Sequence, residues 1–493
     1  MIEVAVAQLR HAASLLFGAP ISTRALSALV EGLVSTRREF GLLGDDADAA
    51  LSGPPLDEAM RRDLQLRRFR AMARRGRDET SYYGPVLHAA GVQPGHLTWD
   101  DIARLPLTPK AAMRAAPEAF VRRGAPPAFR TTTTGTTGRP THTYFTAHEV
   151  EAVVLLNALT FLQRGSILPD DVVQVSTSSR ATLGNQCFSR AIERIGAVWY
   201  QAGLVAPEIG LRLLTETHGL PDRKARASYL NTYSSYLGEL VETAAAAGMG
   251  PADFGLATLS VGGEIVTDGL RRRARETFGD VRLVEGFGMT ETWPLGAVRC
   301  EAGHLHWDPG HGLVEVVAID SLPEGGAVGD AGDDASPIPR PAAPGELGVL
   351  VATPFAPYRE AMVTLRYNTE DLVTAVAGPL DCSLRHMPAT SDLLGKRRFA
   401  VRHAAGWTTP RDVLEALEAL PIVPLPARCG FWADGDGVAV EVVTRGQGDA
   451  DRRVVAAALE AQGVPLTSLH LAEHRDALRQ PLPMRCDLRE ATF

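Results

Sequence analysis

The alternation of helical and β-rich patterns between residues 145 and 292 constrains the fold more than any other feature of the sequence. Apolar residues recur with helical spacing in some segments, and β-branched residues concentrate in the short runs between them. The predicted order is helix Glu149–Gln163, strand Asp170–Thr177, helix Gln186–Ile195, strand Ala197–Tyr200, two helices from about residue 208, of which the second includes Ala244–Ala247, strand Ala257–Gly262, helix Gly269–Phe278 and strand Val281–Glu285. Strands that alternate with helices of this length predict an α/β fold with a largely parallel sheet covered on both faces.

Composition shifts divide the 493 residues into three predicted parts. Residues 1–55 predict a helical N-terminal extension, 56–394 a large domain with covering helices, and 395–493 a small α+β domain that can move as one body. Within the large domain, a stretch between 321 and 345 is rich in Pro, Gly, Ala and Asp and predicts an exposed connection. Strands are predicted after it at Gly348–Thr353 and Met362–Tyr367.

Charge and cysteine content exclude several classes of function. Hydrophobic residues make up 45% and charged residues 22% of the chain, as in ordinary globular proteins, and the formal net charge of -8 argues against binding to nucleic acid or to anionic membranes. Five scattered cysteines fit a reducing cytoplasm, and we expect no leader peptide and no membrane span. Lysine occurs only at Lys110, Lys224 and Lys396, so arginine carries nearly all the positive charge.

A threonine- and glycine-rich segment, Thr131–Thr141, is the first candidate for a ligand-binding loop. It reads T-T-T-T-G-T-T-G-R-P-T. Glycine lets backbone N–H groups turn inward, and threonine adds hydroxyl donors, so such a loop can hold phosphate. The Gly-Lys-Ser/Thr of a Walker loop is absent. Composition alone equally allows a threonine-rich strand that ends in a glycine turn.

Three ordered motifs resemble those of the adenylate-forming superfamily of acyl-CoA synthetases, and of its phenylacetate–CoA ligase-like branch in particular. T-T-G-T-T-G-R-P-T is similar to the family's phosphate loop, S-S-G-T-T-G-K-P-T. Gly286–Glu291 (G-F-G-M-T-E) is similar to Y-G-x-T/S-E, and Arg366–Asp371 (R-Y-N-T-E-D) is similar to R-Y-R-T-G-D. Upstream, the segment that ends in LPLTPK resembles the branch's opening, in which L-P-T-K precedes the loop. The resemblance spans residues from about 60 to about 415.

The resemblance implies that the chain binds ATP and magnesium and forms an acyl-adenylate. Phe287 would stack on adenine, Asp371 would accept hydrogen bonds from the ribose hydroxyls, and Glu291, after Thr290, would position magnesium on the phosphates. From the residues alone, Phe287 can equally be a core aromatic, Gly262–Glu264 a plain strand–helix turn, and Arg366 part of an ordinary ion pair. The nucleotide-binding residues implied by the resemblance are Thr133, Thr134, Gly135, Thr136, Thr137, Gly138, Gly262, Gly263, Glu264, Gly286, Phe287, Gly288, Met289, Asp371 and Lys396.

The resemblance also suggests an acid pocket and a zinc site. The pocket would be formed by Ser176–Asn185, and its predicted contacts are Ser179, Arg180, Gly184 and Asn185. Thiolate and imidazole suit tetrahedral zinc. The predicted ligands are Cys300, His306, Cys382 and His386, with His304 and His311 as neighbouring candidates. Loop histidines and unpaired cysteines without a metal are the alternative interpretation.

The C-terminal sequence departs from the family. The family carries a lysine in a P-R-x-x-x-G-K context, whereas this chain has no lysine after Lys396, which leaves Arg485 as the predicted catalytic cation and Arg489 as a weaker candidate. Arginine is not equivalent to a compact ammonium.

Three functions therefore stay open. The first is activation of a small aryl or arylacrylic acid, with transfer to CoA or another thiol, such as that of a carrier protein. The second is a ligase that uses an amine acceptor, or an oxyacid such as nitrite in specialised biosynthesis. The third is a degenerate nucleotide-binding protein. The assembly state is also open, with a homodimer as one option.

Overall fold

The structure is a computed structural model that describes residues 2–17, 20–41, 57–132, 141–178, 182–323, 339–378 and 380–474. The chain divides into two compact units, which we call unit one and unit two. Unit one comprises Met1–Asp170, Arg180–Val198 and Gly286–Asp392. Unit two comprises Asp171–Ser179, Trp199–Glu285 and Leu393–Phe493.

The helices and strands alternate along the chain as the sequence predicts, except that a strand at Tyr229–Tyr233, which was not predicted, separates the two helices expected after Tyr200. The helices are α1 (Ile2–Phe17), α2 (Thr23–Phe40), α3 (Glu58–Glu79), α4 (Tyr83–Ala89), α5 (Trp99–Arg104), α6 (Lys110–Ala115), α7 (Ala147–Gln163), α8 (Leu183–Ile195), α9 (Pro207–Thr215), α10 (Ser234–Ala246), α11 (Asp268–Phe278), α12 (Pro410–Glu418) and α13 (Asp449–Ala461). Within the described residues, none of them combines the length and apolar character that a membrane span requires.

The strands group into several small sheets and one larger one. They are β1 (Phe129–Thr132), β2 (His142–Phe145), β3 (Val172–Ser176), β4 (Val198–Gln201), β5 (Tyr229–Tyr233), β6 (Thr258–Gly262), β7 (Arg282–Gly288), β8 (Gly296–Arg299), β9 (His304–Trp307), β10 (Gly312–Ala318), β11 (Leu347–Pro354), β12 (Tyr367–Thr374), β13 (Ala389–Ser391), β14 (Gly395–Lys396), β15 (Val401–His403), β16 (Gly406–Thr408), β17 (Cys429–Asp434), β18 (Gly437–Val443) and β19 (Leu466–Ala472).

Unit one is built on antiparallel pairings. β10, β11 and β12 form one sheet, β1 pairs with β2, and the end of β7 continues through β8 and β9 to β13. One apolar core gathers around Phe69, Phe120 and Tyr367, and another lies between β2, α7 and α8 around Phe145. Thr146 and Glu149 form a capping box at the start of α7, which fixes where that helix begins after β2.

Unit two contains the parallel sheet that the sequence predicts. Its strand order is β7, β6, β5, β3, with each neighbouring pair parallel. The C-terminal residues add a second sheet, in which β18 pairs antiparallel with β17 and parallel with β19. The two cores of this unit are distinct, but Leu425, from the C-terminal segment, belongs to the core formed by the segment 211–281.

Helices α11 and α12 make a close contact within unit two. A Cβ added to Gly269 would lie 2.3 Å from the Glu418 carbonyl oxygen, so only glycine allows this approach. Glu418 is fully buried, and its carboxylate accepts hydrogen bonds from the Thr267 hydroxyl and the Ala427 N–H. The buried carboxylate therefore ties α12 to the start of α11 through satisfied polar contacts.

The predicted strand at Met362–Tyr367 is wrong. Met362 makes only an isolated bridge, and β12 begins at Tyr367. Arg366 has φ of 46°, a left-handed conformation that interrupts extended backbone. The remaining strands and helices named from the sequence are present, with ends shifted by a few residues. The α/β fold class with a large and a small domain is confirmed, while the predicted domain boundaries stay a prediction.

Candidate functional site

Glu291 lies in a turn directly after β7 and is almost completely buried, with 2% of its surface exposed. Its Oε1 accepts a hydrogen bond from the Tyr367 hydroxyl at 3.2 Å. The Lys110 ammonium lies 3.7 Å from the same oxygen. Because an isolated buried carboxylate is costly, the hydroxyl and the ammonium together stabilise its charge. We call these three side chains, all in unit one, the Glu291 cluster.

A pair of backbone hydrogen bonds brings Lys110 to this cluster. Thr108 N–H donates to the Arg366 carbonyl at 2.9 Å, and Asn368 N–H donates to the Thr108 carbonyl at 3.0 Å. The segment before α6 therefore runs beside the start of β12, and Lys110 and Tyr367 open these two elements. The sequence predicted no role for Lys110. The LPLTPK segment, which ends at this lysine, is the sequence signal that could have identified it as a site residue.

The hydroxyl of Tyr367 stays protonated over the ordinary pH range. Burial raises the pKa of Tyr367 well above its usual value, and the nearby charge of Glu291 raises it further. The protonated hydroxyl donates its hydrogen bond to Oε1 of Glu291 and so orients that side chain. The side chain of Tyr367 is itself fully buried.

Arg366 forms the ordinary ion pair that the sequence left open. Its Nη2 lies 3.0 Å from Glu315 Oε1, and its Nη1 donates to the Ala103 carbonyl at 2.9 Å. The side chain is buried, with 1% of the residue exposed. Arg366 thus joins β10, α5 and the start of β12, and its left-handed backbone turns the chain into Tyr367.

The other predicted nucleotide residues of unit one lie on β7 and β12. Gly286 and Gly288 pair with β8, and the half-buried ring of Phe287 contacts the ring of Trp307 edge-on at 5.4 Å. Asp371 is 5% exposed, and its backbone N–H donates to the Thr369 hydroxyl. Their predicted contacts with adenine and ribose stay predictions, as do those of the partly exposed Met289 and Thr290, which follow β7 in the chain.

Unit two holds a further set of predicted nucleotide residues. Gly263 has φ of 80°, and a Cβ there would lie 3.1 Å from the Tyr233 ring. The Glu264 carboxylate accepts hydrogen bonds from Ser234 Oγ at 3.0 Å and from Ser235 N–H at 2.8 Å, at the start of α10. These contacts fix the turn after β6, and the predicted contact of Gly262, Gly263 and Glu264 with adenine stays a prediction. Lys396 is half-buried in the short strand β14, and its role stays a prediction.

Several predicted residues lie outside the described part of the chain. They are Thr133, Thr134, Gly135, Thr136, Thr137, Gly138, Ser179, Arg180, Arg485 and Arg489. Of the predicted acid-pocket residues, Gly184 is exposed and Asn185 is half-buried, both in the first turn of α8. The Asn185 N–H contacts the Thr182 hydroxyl, which caps this helix.

A fully buried ion pair supports the strand that follows the predicted phosphate loop. Arg359 and Glu149 lie 2.9 Å apart and are 0% and 1% exposed. Arg359 Nη1 also donates to the carbonyl of Tyr144 in β2, and its guanidinium lies 4.0 Å from the centre of the Phe145 ring. The pair therefore joins β2, the start of α7 and the 359–361 segment in the interior of unit one.

Cysteine and histidine side chains meet on and beside the β8–β9 hairpin. The side-chain ligand atoms of Cys300, His304 and His306 all lie within 4.8 Å of one another. Cys382 approaches the same group, with its Sγ 3.3 Å from His306 Nε2. We call these four residues the Cys/His cluster. Its members come from two segments of unit one that are far apart in sequence.

The two ring nitrogens of His306 face different partners. His306 Nδ1 lies 3.4 Å from the Met387 carbonyl, which leaves Nε2 facing Cys382. Burial lowers the pKa of His306, which favours the neutral imidazole. The structure brings His304 into the cluster, whereas the predicted ligand His386 is exposed. His311 instead packs its ring against Tyr358 at 4.5 Å.

Comparisons with solved structures identify the fold. No family model and no curated protein matches the sequence. The chain is similar to 2-hydroxyisobutyryl-CoA ligase in the postadenylation state with R3-HIB-AMP, at a TM-score of 0.68 and 18% identity over 85% of this chain and 87% of that chain. An open conformation of that ligase with 2-HIB-AMP and CoA is similar at a TM-score of 0.61 and 18% identity, over 86% of this chain and 90% of that chain. The anthranilate CoA ligase AuaEII with anthranoyl-AMP is similar at a TM-score of 0.50 and 13% identity, over 70% of this chain and 63% of that chain.

The chain has the fold of the adenylate-forming CoA ligases. The resemblance carried by the three sequence motifs is thus confirmed at the level of the fold. Membership of the phenylacetate–CoA ligase-like branch stays a prediction.

Proposed function

We propose that the chain is an ATP-dependent, AMP-forming acid–thiol ligase. The observation that carries the proposal is the buried Glu291 carboxylate, held by Tyr367 and Lys110 in the motif whose acidic residue the family resemblance assigns to magnesium. The fold adds support, because the similar ligases were crystallised with acyl-adenylates, one of them also with CoA. Carboxylate oxygen is a ligand type that Mg²⁺ prefers, so Glu291 fits the metal that ATP chemistry needs.

The reaction has two group transfers. An oxygen of the acid attacks the α-phosphorus of ATP, a P–O bond forms, and the bond to the β-phosphate breaks with release of pyrophosphate. The CoA thiolate then attacks the acyl carbon, a C–S bond forms, and AMP leaves with the former carboxylate oxygen. Magnesium, when bound, offsets phosphate charge. In this chain Glu291 would hold that ion, Tyr367 orients Glu291, and Asp371 would bind the ribose.

The acid and the acceptor are finer parts of the proposal. A small aryl or arylacrylic acid and CoA are the first choice, and a carrier thiol is the nearest variant. An amine acceptor, or nitrite as the activated oxyacid, is the second. Arg485 is proposed as the catalytic cation of the C-terminal segment, because that sequence lacks the family's lysine.

Acid-dependent exchange of pyrophosphate into ATP tests the function. The panel should contain aryl, arylacrylic and short aliphatic acids together with nitrite. We expect exchange with one acid class, and its loss in Glu291→Gln, with Glu301→Gln as a control at an exposed acid of unit one. ATP binding without exchange or AMP release for any acid would instead support the degenerate nucleotide-binding protein. Unchanged exchange in Arg485→Ala would remove that residue from the proposal.

We also propose that the Cys/His cluster binds a structural zinc ion. Two thiolates and two imidazoles are a common tetrahedral ligand set, and a closed site of this kind would tie the β8–β9 hairpin to the segment around Cys382. The structure favours His304 as the fourth ligand, with His386 as the sequence-based alternative.

Metal analysis of the purified chain tests the zinc proposal. We expect ~1 zinc ion per chain, as a closed four-ligand site would hold. The content should fall sharply in Cys300→Ala and Cys382→Ala and stay unchanged in Cys187→Ala, because Cys187 is buried between β2, α7 and α8. His304→Ala and His386→Ala then distinguish the two candidate fourth ligands. Zinc well below stoichiometry in the wild-type chain would reject the site.

A further inference from the structure

Lys110 and Arg114 form a cationic face on α6 that the proposed function has not used. The two residues are four apart in a helix, so their side chains lie on the same side. The Lys110 ammonium lies 3.7 Å from Glu291, and the charge of Arg114 acts on Tyr367. Arg114 Nε is buried, and it has no hydrogen-bond partner in the part of the chain that the structure describes. The Lys110 ammonium thus faces Glu291, and Arg114 adds a second positive charge on the same side of the helix.

The partner of Lys110 is the residue that would hold magnesium. Magnesium on the Glu291 carboxylate would bring a divalent cation close to the Lys110 ammonium, and the two positive charges repel each other. The lysine stem is flexible, and 15% of the side chain is exposed, so the ammonium can turn to another anion. The anion that arrives together with magnesium is the polyphosphate of the nucleotide.

We propose that Lys110 is a phosphate-binding residue of the adenylation site, which pairs with Glu291 in the free protein and with a phosphate oxygen of the nucleotide when ATP binds. The inference rests on the proposed function for its ligand. Lys110 would supply, from unit one, an ammonium of the kind that the C-terminal sequence lacks. Arg114 supports it as a second positive charge on the same helix face.

Binding of inorganic pyrophosphate in the presence of EDTA tests the inference without metal and without turnover. We expect Lys110→Met to weaken this binding by about tenfold or more, as loss of a charge-assisted contact implies. Lys110→Arg should retain part of the affinity. Lys224→Met is the matched control, because it removes another lysine–carboxylate pair, with Asp171 in unit two.

Glu291→Gln is expected to change the affinity for metal-free pyrophosphate in the opposite direction from Lys110→Met. Without the carboxylate, Lys110 is released and one negative charge is lost, so metal-free pyrophosphate should bind at least as tightly as to the wild type. The Lys110→Met substitution should then cause a larger fold-loss in the Glu291→Gln background than in the wild type. A purely structural lysine would lower the thermal midpoint and leave pyrophosphate affinity unchanged. The midpoint of Lys110→Met is expected to fall, because the buried Glu291 carboxylate loses a compensating charge, so the discriminating readout is pyrophosphate affinity measured well below the midpoint of every variant.

The outcomes separate this inference from the proposed function. Acid-dependent exchange in the wild type, with pyrophosphate affinity unchanged in Lys110→Met, overturns the role of Lys110 and leaves the ligase intact. Absent exchange in the wild type, with weaker pyrophosphate binding in Lys110→Met, rejects the ligase and retains the phosphate contact. No measurable metal-free binding of pyrophosphate to the wild type overturns the inference as well.

Discussion

Replacing Glu149 by glutamine should destabilise unit one strongly, although the two side chains have nearly the same shape. Oε1 of Glu149 accepts from Arg359 at 2.9 Å and from Glu360 N–H at 2.7 Å. Oε2 accepts from Thr146 N–H at 2.6 Å and from Ala361 N–H at 3.0 Å. Whichever oxygen becomes an amide nitrogen, an NH₂ group then faces two donors. An unsatisfied buried donor costs about 1–3 kcal/mol, and breaking a buried ion pair costs about 3–5 kcal/mol in total.

Replacing the other partner of the ion pair, in Arg359→Met, should destabilise unit one less than Glu149→Gln does, and this difference tests the reasoning. In Arg359→Met, Glu149 keeps its three backbone donors, so we expect a loss of only about 1–3 kcal/mol. Denaturant unfolding of both variants measures these costs. Glu151→Gln is the control, because Glu151 lies on the same helix but is 26% exposed in its pairs with Arg190 and Arg194, where a loss below about 1 kcal/mol is expected. This account of the ion pair would be refuted if Glu149→Gln lowered the free energy of unfolding no more than Glu151→Gln does. It would also be refuted if Arg359→Met lowered it more than Glu149→Gln does.

Two further predictions concern the site and the pH dependence of stability. Tyr367→Phe removes the hydroxyl that contacts Glu291 at 3.2 Å, so we expect pyrophosphate exchange to slow by about tenfold, and an unchanged rate would exclude a positioning role. His148 lies 2.8 Å from both a Glu360 oxygen and the Ile21 carbonyl, and the Glu360 contact raises the pKa of His148 above 6.5. The contribution of His148 to stability is therefore complete below about pH 6.5 and is lost as pH rises through the folded-state pKa. In His148→Gln, the free energy of unfolding should no longer decline over this pH range, which pH-dependent unfolding measures.

The parallel core of unit two and the position of Glu291 were predictable from local sequence. The runs at β3, β6 and β7 are short and lie between helical patterns, so period and length identify them, whereas β5, which pairs with β3 and β6, was not predicted. Glu291 follows such a run within a motif that has a known counterpart, and the structure places it in a buried turn after β7. These signals are local, since they depend on residues that are neighbours in the chain.

The features that the sequence did not predict depend on distant partners. The Met362–Tyr367 segment has strand composition, but the backbone of Arg366 is left-handed, and its side chain contacts Glu315 and the Ala103 carbonyl, which are distant in sequence. Lys110 belongs to the site because β12 lies beside the segment before α6. Spacing could not choose between His304 and His386, since the choice depends on where the β8–β9 hairpin meets the segment around Cys382.

The close helix–helix contact between Gly269 and Glu418 has a practical consequence for truncating this chain. A fragment that ends at Asp392 would uncover the α11 surface on which α12 sits and remove Leu425 from the core of the 211–281 segment. The shortened chain would expose apolar surface and lose the acceptor of the Thr267 hydroxyl, so it is a poor candidate for independent expression. The two steps of the proposed reaction are therefore better tested by point substitutions in this chain than by cutting it between its predicted large and small domains.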